Sequence, residues 1–351
     1  MRIGIVFHKD PYAPPSGIDL VRLRAIAGGL IQRGIRAEII SSVEKEGVLD
    51  GFIPVCGLSV LSETGRYDLI KTCYHPSILL ADRYRGPIVA RIVRVVDRKF
   101  PERDAQFRDK LLHSQEIIRS RAAVVVLNNA ENRERWSALY GENPPTVLVP
   151  TGCSAEIPPA STNPYQPGER AILFLGSLAA PRMVQTLNSA AKRLSGVARF
   201  HLVGLNKACM YGGEEGCRLD PAVVDHGELR ESEIWDYIRH AKIGLALATG
   251  PYPFDNDVSK VLNYLRGGLQ VLSEEPIVNN DLIRKTGLGR VFRYGDLDDL
   301  VTAALDLLKN PRDEKKESAM RLMVEEHSWD RRTEVYVNLF SRILSTPHAD
   351  P

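Results

Sequence analysis

The chain has 351 residues, of which 44% are hydrophobic and 26% charged, which is enough for two domains that each bury a core. Lys+Arg at 46 against Asp+Glu at 44 leaves a net charge of +2. That balance excludes a dedicated nucleic-acid binder and a charge-expanded disordered chain. No apolar run approaches the roughly 18 residues of a membrane-spanning helix. The N-terminus runs straight into a strand pattern with no export signal, so a cytoplasmic location is expected.

In chain order, residues 3–7 form a β run. After a Pro/Gly loop (residues 11–17), Leu20, Leu23, Ala27, Leu30 and Ile31 recur at helical spacing up to Gly34. Strands are predicted at 37–40, 68–72, 87–96, 122–127 and 147–149. Helices fall at about 104–120 and 130–140. This strand–helix alternation predicts parallel strands with helices on both faces.

The proline-rich stretch 154–169 reads as a linker. The pattern then restarts with strands at 171–175, 200–203, 223–225, 243–248 and 270–273. Helices are predicted at 183–194, 231–240, 259–266, 297–308, 312–326 and 331–344. The expected architecture is α/β, with two Rossmann-like domains at 1–155 and 165–334 and a last helix (about 335–351) returning to the first. A dehydrogenase would carry Gly-x-Gly-x-x-Gly after a strand. Here Gly287-Leu288-Gly289 follows a helix instead. The five cysteines, Cys56, Cys73, Cys153, Cys209 and Cys217, contain no Cys-x-x-Cys pair and read as reduced thiols, with a Cys209–Cys217 disulfide or metal site the minor alternative.

Several segments carry a resemblance. Pro14-Pro15-Ser16-Gly17 precedes a helix ending in Leu30-x-x-Arg33-Gly34. Leu173-Phe174-Leu175-Gly176-Ser177-Leu178 is similar to an "FVGRL" segment, and Phe200-His201-Leu202-Val203-Gly204 to an "hhhVG" strand. Residues 253–271 run Pro-Phe-Asp-Asn-Asp-Val-Ser-Lys-Val-Leu-Asn-Tyr-Leu-Arg-Gly-Gly-Leu-Gln-Val, similar to "SKxxEYLAAGxPV". Ser328-Trp329-Asp330 is similar to the "FSW" that opens a last helix. In order and spacing, the chain resembles the retaining GT-B glycosyltransferases of the group 1 (family 4) type. The resemblance implies the GT-B fold, two Rossmann-like domains facing across a cleft. It also implies transfer of a sugar from a nucleoside-diphosphate donor, UDP- or GDP-linked, to a hydroxyl acceptor. The acceptor would be a glycan, a lipid-linked saccharide or a small molecule. Retention, with no metal and no cofactor, is expected.

A leaving diphosphate gains charge in the transition state, so its site needs cations and N–H donors. The resemblance puts Lys260 and Ser259 on the diphosphate, at a helix start that favours anions. Arg182 stands where the family has a lysine, and Ser177 where it has an arginine. Gly17 and Gly176 let backbone approach the donor. The family's two glutamates, seven residues apart, are here Asp255, expected at the donor sugar with Asp257 competing, and Asn263, expected at the ribose. His226, in His226-Gly227-Glu228-Leu229, matches a loop that meets the base. The family's "VHD"-like segment lacks its histidine here, which leaves Arg94 or Asp97 to face the cleft, with His75 a further cleft candidate. Residues 82–121 hold eleven Lys/Arg against six Asp/Glu. A peripheral contact with anionic lipid at the inner membrane face is one expectation for this segment, and a solvated helix face is the other.

Overall fold

The computed structural model describes residues 1–13, 18–42, 46–100, 105–157, 159, 162–208 and 217–345. The chain divides into two units, Met1–Thr151 together with the C-terminal helix from Trp329, and Gly152–Ser328. The chain therefore passes between units twice.

The first unit is built on an eight-stranded sheet in the order β3-β4-β2-β1-β5-β6-β7-β8. Its strands are β1 Arg2–Phe7, β2 Arg36–Ser41, β3 Gly47–Leu49, β4 Ile53–Cys56, β5 Leu69–Thr72, β6 Ile88–Ile92, β7 Val124–Leu127 and β8 Thr146–Leu148. All neighbours run parallel except β3, which is antiparallel to β4. Helices α1 (Ile18–Gln32), α2 (Ala105–Arg121) and α3 (Ala130–Tyr140) connect them. Helix α10 (Trp329–Ser345) lies on α1, and a Cβ added at Gly29 would come 2.6 Å from Thr333 Oγ1. Only glycine permits that approach. Arg33, just past α1, reaches Asp330 of α10 at 2.6 Å.

The second unit has a six-stranded parallel sheet in the order β11-β10-β9-β12-β13-β14. The strands are β9 Ala171–Leu175, β10 Arg199–Val203, β11 Val223–Asp225, β12 Ile243–Ala246, β13 Val271–Glu274 and β14 Gly289–Phe292. Helices α4 (Pro181–Arg193), α5 (Ile234–His240), α6 (Lys260–Arg266), α7 (Asn280–Thr286), α8 (Leu297–Lys309) and α9 (Lys316–His327) cover it. Strands buried on both faces read as continuous apolar runs, which is why residues 171–175 (Ala-Ile-Leu-Phe-Leu) are buried throughout.

Several boundaries differ from expectation. The strand expected over 87–96 ends at Ile92, where its partner β7 ends at Leu127. Beyond it, side-chain amides replace the ladder: Val95 N donates to Asn132 Oδ1 at 2.7 Å and Val96 N to Gln115 Oε1 at 2.8 Å. Helix α9 starts at Lys316, not 312, because a 3₁₀ turn occupies Asp313–Lys315. Strands β3, β4 and β14 were not anticipated, and α7 only as the helix that Gly287 follows. Gly17, with the loop 14–17, lies outside the described residues, as do Cys209 and residues 346–351. Cys56, Cys73, Cys153 and Cys217 are free thiols. No helix among the described residues is long and apolar enough to cross a membrane.

Tyr264 of α6 joins helix to sheet. Its buried hydroxyl accepts from Leu175 N at 2.7 Å and donates toward the carbonyls of Leu173 (3.1 Å) and Leu245 (3.2 Å). The ring lies over Gly244, where an added Cβ would fall 2.5 Å from ring carbons. Gly244→Ala is therefore expected to lose about 1–3 kcal/mol through overpacking. Urea unfolding of the variant checks this, and an unchanged midpoint would show that the ring can move aside.

Candidate active site

In open α/β sheets ligands bind beyond the carboxyl ends of strands, where the strand order reverses. In the second unit that point lies between β9 and β12. The chain leaving β9 turns at Gly176, whose φ of +98° suits glycine. Gly176 N donates to Val203 O at 2.7 Å. Gly204, beyond β10, packs so closely on this turn that a Cβ there would meet Gly176 O at 2.2 Å. Two glycines thus let the loops after β9 and β10 stack backbone on backbone.

Lys260, the first residue of α6, comes up beneath this turn. A Cβ on Gly176 would lie 3.8 Å from its Cε, and its ammonium sits 3.8 Å from the centre of the Phe174 ring. Lys260 makes no hydrogen bond or ion pair with any described residue. Burial without a counter-charge pulls its pKa down to about 7. A buried ammonium that meets, among the described residues, only an aromatic face and a glycine turn is a cation suited to an incoming anion. Ser259 directly precedes it, and its hydroxyl does not cap the helix. With seven residues, α6 has little dipole of its own, so the charge comes from the lysine.

Arg182 of α4 is committed differently. It grips the fully buried carboxylate of Glu274 through both Nη atoms and also donates to Ala248 O. Its guanidinium carbon lies 4.3 Å from the centre of the Tyr294 ring. Glu274 additionally accepts from Ala248 N and Gly295 N, both at 2.9 Å. The arginine's charge is met inside the protein, and the pair ties the loops after β12, β13 and β14 together. Ser177 is half-buried in the turn after Gly176.

Asp255 closes a 3₁₀ turn and Asp257 accepts from Asn279 Nδ2 at 3.1 Å. Between them, buried Asn256 holds the loop with four bonds. Its Oδ1 accepts from the Thr249 amide and hydroxyl, and its Nδ2 donates to Gly250 O and Tyr252 O. The side-chain amide of Asn263 makes no hydrogen bond among the described residues and is half-buried, so it keeps both donor and acceptor capacity.

His226 follows β11 and belongs to a chain of rings. Its Nε2 lies 2.9 Å from His201 Nδ1, its Nδ1 lies 3.2 Å from the Tyr237 hydroxyl, and His201 Nε2 lies 2.7 Å from Glu169. Burial lowers the pKa of both histidines. Gly204 N donates to Gly227 O at 2.7 Å, so the His226–Gly227 loop joins the stacked turns.

In the first unit the strand order reverses between β1 and β5. His8 follows β1 and His75 follows β5. Tyr74 lies between their rings, 5.2 Å from His8 and 4.4 Å from His75. His8 Nδ1 lies 3.1 Å from Ser77 Oγ. His75 is fully buried, and neither ring nitrogen has a partner among the described residues. Burial, with Arg94 nearby, lowers its pKa to about 3; burial, with Lys9, lowers that of His8 to about 4. Asp19 acts on both rings. Burial alone would raise its carboxyl, but Arg22 and Lys9 outweigh this and hold it ionised. The neighbourhood thus pairs two neutral imidazoles with one carboxylate. Sequence reading found His75 but missed His8 and Asp19, because their relation exists only across strands.

Arg94 lies over Phe100 (5.3 Å) and Phe107 (5.9 Å). Asp97 accepts from Lys99 N at 2.8 Å and pairs with Arg135 at 3.0 Å, which gives it a loop-fixing role. The basic segment is not a uniform face. Arg91 is buried, Arg121 donates to the carbonyls of Ala81, Asp82 and Tyr84, and Arg108 and Arg119 pair with Asp109 and Glu116.

The two histidines give a pH test. Neither takes a proton until the pH falls to about 4 or below, whereas unfolded histidine does so near 6.5. Between those values the unfolded chain binds more protons, so these groups make stability fall as pH drops below 6.5. Ring-nitrogen NMR is expected to show His75 and His8 neutral throughout pH 5–8, and titration of either near 6.5 would contradict the burial described.

The sequence matches no protein-family model and no curated protein. Solved structures do match. Sucrose-phosphate synthase of Thermosynechococcus elongatus superposes with a TM-score of 0.77 at 12% identity, covering 98% of this chain and 99% of that one. HepE of Anabaena, solved with UDP-glucose, gives 0.76 at 14%, covering 97% and 100%. A glycosyltransferase of Rickettsia africae gives 0.72 at 13%, covering 99% of each. The chain has the GT-B fold, two Rossmann-like units in α/β architecture.

Proposed function

We propose that this protein is a glycosyltransferase that moves a sugar from a nucleoside-diphosphate donor, UDP- or GDP-linked, to a hydroxyl acceptor. The observation that carries this reading is Lys260, an ammonium without a counter-charge among the described residues, held under the Gly176 turn at the switch point of the second unit. Its charge would meet that developing on a leaving diphosphate. Asn263 would serve the ribose hydroxyls, Asp255 the donor sugar and the His226–Gly227 loop the base. In the first unit, the neutral and partly exposed His8 can accept the acceptor's hydroxyl proton, and Asp19 can stabilise the imidazolium that results. The acceptor class is a glycan, a lipid-linked saccharide or a small molecule. Retention without a metal is the expected course.

A thermal-shift panel of UDP, GDP, ADP, CMP and dTDP tests the donor site, since a ligand of the folded state raises the transition temperature. A shift with one nucleotide is expected, and none with any would reject the reading. Product NMR then reads the anomer, and an unchanged rate in EDTA checks metal independence.

A second reading is a GT-B protein that binds nucleotide sugar without turnover. It is favoured by Asn263 in place of an acid and by the commitment of Arg182 to Glu274. Nucleotide binding without donor hydrolysis, and without transfer to a broad acceptor panel, would favour it.

A further inference from the structure

Period-two alternation puts His201 of β10 on the same face of its strand as Val203, which packs with Tyr165, Trp235 and Ile238. His201 is 3% exposed. A polar ring in such a layer is costly unless both its nitrogens are satisfied. Here both are. Nε2 meets Glu169 Oε1 at 2.7 Å, and Nδ1 meets His226 Nε2 at 2.9 Å. His226 Nδ1 in turn meets the Tyr237 hydroxyl at 3.2 Å. The two imidazole planes are 13° from parallel, and the Tyr165 ring stands edge-on to His201 with centres 4.7 Å apart.

These partners fix where each proton sits. An ionised carboxylate only accepts, so His201 Nε2 carries a hydrogen for Glu169, and in the neutral ring Nδ1 is bare. His226 Nε2 must then donate to that Nδ1. This leaves His226 Nδ1 bare, and it accepts from the Tyr237 hydroxyl. The four groups form a chain with one direction, from the Tyr237 O–H to Glu169. One added proton reverses its outer end. On either ring, the added charge leaves a hydrogen on His226 Nδ1, and Tyr237 turns from donor to acceptor. A second proton would set N–H against N–H across 2.9 Å, so the two rings share a single proton and titrate as a pair.

The chain crosses the second unit from one end of its sheet to the other. Glu169 lies ahead of β9, 3.7 Å from Arg199, and with Arg170 and Arg199 it lines a groove of about 690 Å³. Asp225 faces His226, and Glu233 and Asp236 face Tyr237, whose carbonyl accepts from the Tyr165 hydroxyl at 2.9 Å, with Tyr264 beyond Tyr165. At the far end, Gly227 O accepts from Gly204 N, and Gly204 stacks on the Gly176 turn over Lys260. We propose that Glu169, His201 and Tyr237 are positioning residues that act through His226, their directed chain fixing the His226–Gly227 loop for a nucleotide base and holding one exchangeable proton between the two rings. The positioning rests on the donor-site reading above; the chain stands without it.

Full-length protein with isotopically labelled histidine reports each ring's protonation through long-range proton–nitrogen NMR correlations. Burial lowers the pKa of both rings, so at pH 8 both are expected neutral and in the Nε2–H form. On acidification one proton is expected to enter the pair, with His226 Nδ1 gaining a hydrogen. His226 in the Nδ1–H form at pH 8, or independent uptake of a proton by each ring, overturns the chain. Tyr237→Phe removes the acceptor that the protonated pair needs, so uptake is expected about one pH unit lower, and an unmoved midpoint overturns the chain as well. The same variant is titrated with the nucleoside diphosphate that stabilises the wild type. Affinity is expected to fall about three- to tenfold, while affinity for inorganic pyrophosphate, which has no base, is unchanged. Equal nucleotide affinity in the folded variant, or an equal loss for pyrophosphate, overturns the positioning. If Tyr237→Phe does not fold, Glu169→Gln takes its place with the same nucleotide loss expected. If no nucleotide binds the wild type, the donor-site reading falls and the positioning with it, while the tautomers still decide the chain.

Discussion

Lys260→Ala is expected to abolish nucleotide-induced stabilisation and to lower any sugar-transfer rate by about 10²–10³, the range seen when one preorganised stabiliser of a developing anion is removed. Because burial holds the Lys260 pKa near 7, its charge state is divided at neutral pH, and a diphosphate binds the protonated form. Nucleotide affinity should therefore fall as pH rises above 7, approaching a tenfold loss per pH unit, with proton uptake on binding. Stability of the free protein runs the other way. Between pH 7 and the unfolded value near 10.4, the unfolded chain holds a proton that the folded one lacks, so stability rises with pH. Lys260→Met removes the buried ammonium without leaving a hole. It should raise the transition temperature of the nucleotide-free protein by a few degrees at pH 7 while eliminating the nucleotide shift. Calorimetric titration across pH 6–9 checks both. Unchanged affinity in Lys260→Ala, or flat affinity across that range, would show that the diphosphate binds elsewhere.

Periodicity made most of the fold legible. Five-residue apolar runs such as 171–175 can only be strands buried on both faces, and the helices between them follow from 3.6-residue spacing. What escaped were short strands with little pattern, β3, β4 and β14, and the end of β6, where Asn132 and Gln115 substitute for a strand partner. The site was legible wherever a residue's role is local. Gly176 at a turn and Lys260 at a helix start fall into this class. It was illegible where the role depends on an encounter between distant elements. Asn256 sits between two aspartates that look like better candidates, yet its amide satisfies both donors and acceptors of the loop, which a carboxylate cannot do. His8 and Asp19 are ordinary polar residues until the strand order brings them beside His75. Arg91 and Lys71 look like surface charges in a basic stretch or a strand, yet both are buried with Tyr336 of α10 against them.

Glu274 is the clearest case, because it follows the strand expected at 270–273 and carried no expectation, while the structure places it fully inside. Each of its oxygens accepts one backbone N–H and one Arg182 N–H. Glu274→Ala would strand all of these at once. The buried Ala248 amide and the Gly295 amide would lose their acceptor and a half-buried guanidinium its counter-charge. Breaking a buried pair from one side costs about 3–5 kcal/mol, which at roughly 2–4 °C per kcal/mol corresponds to a transition some 10 °C lower. Arg182→Met alone should cost less, since the carboxylate keeps its two backbone donors. Combining Arg182→Met with Glu274→Ala is expected to be less harmful than the sum of the two, by 1 kcal/mol or more, as coupled partners behave in a double-mutant cycle. Urea unfolding of the four proteins measures this directly. Strict additivity would mean that Arg182 is not held by Glu274 in solution, and the arginine would then be available to a bound diphosphate beside Lys260.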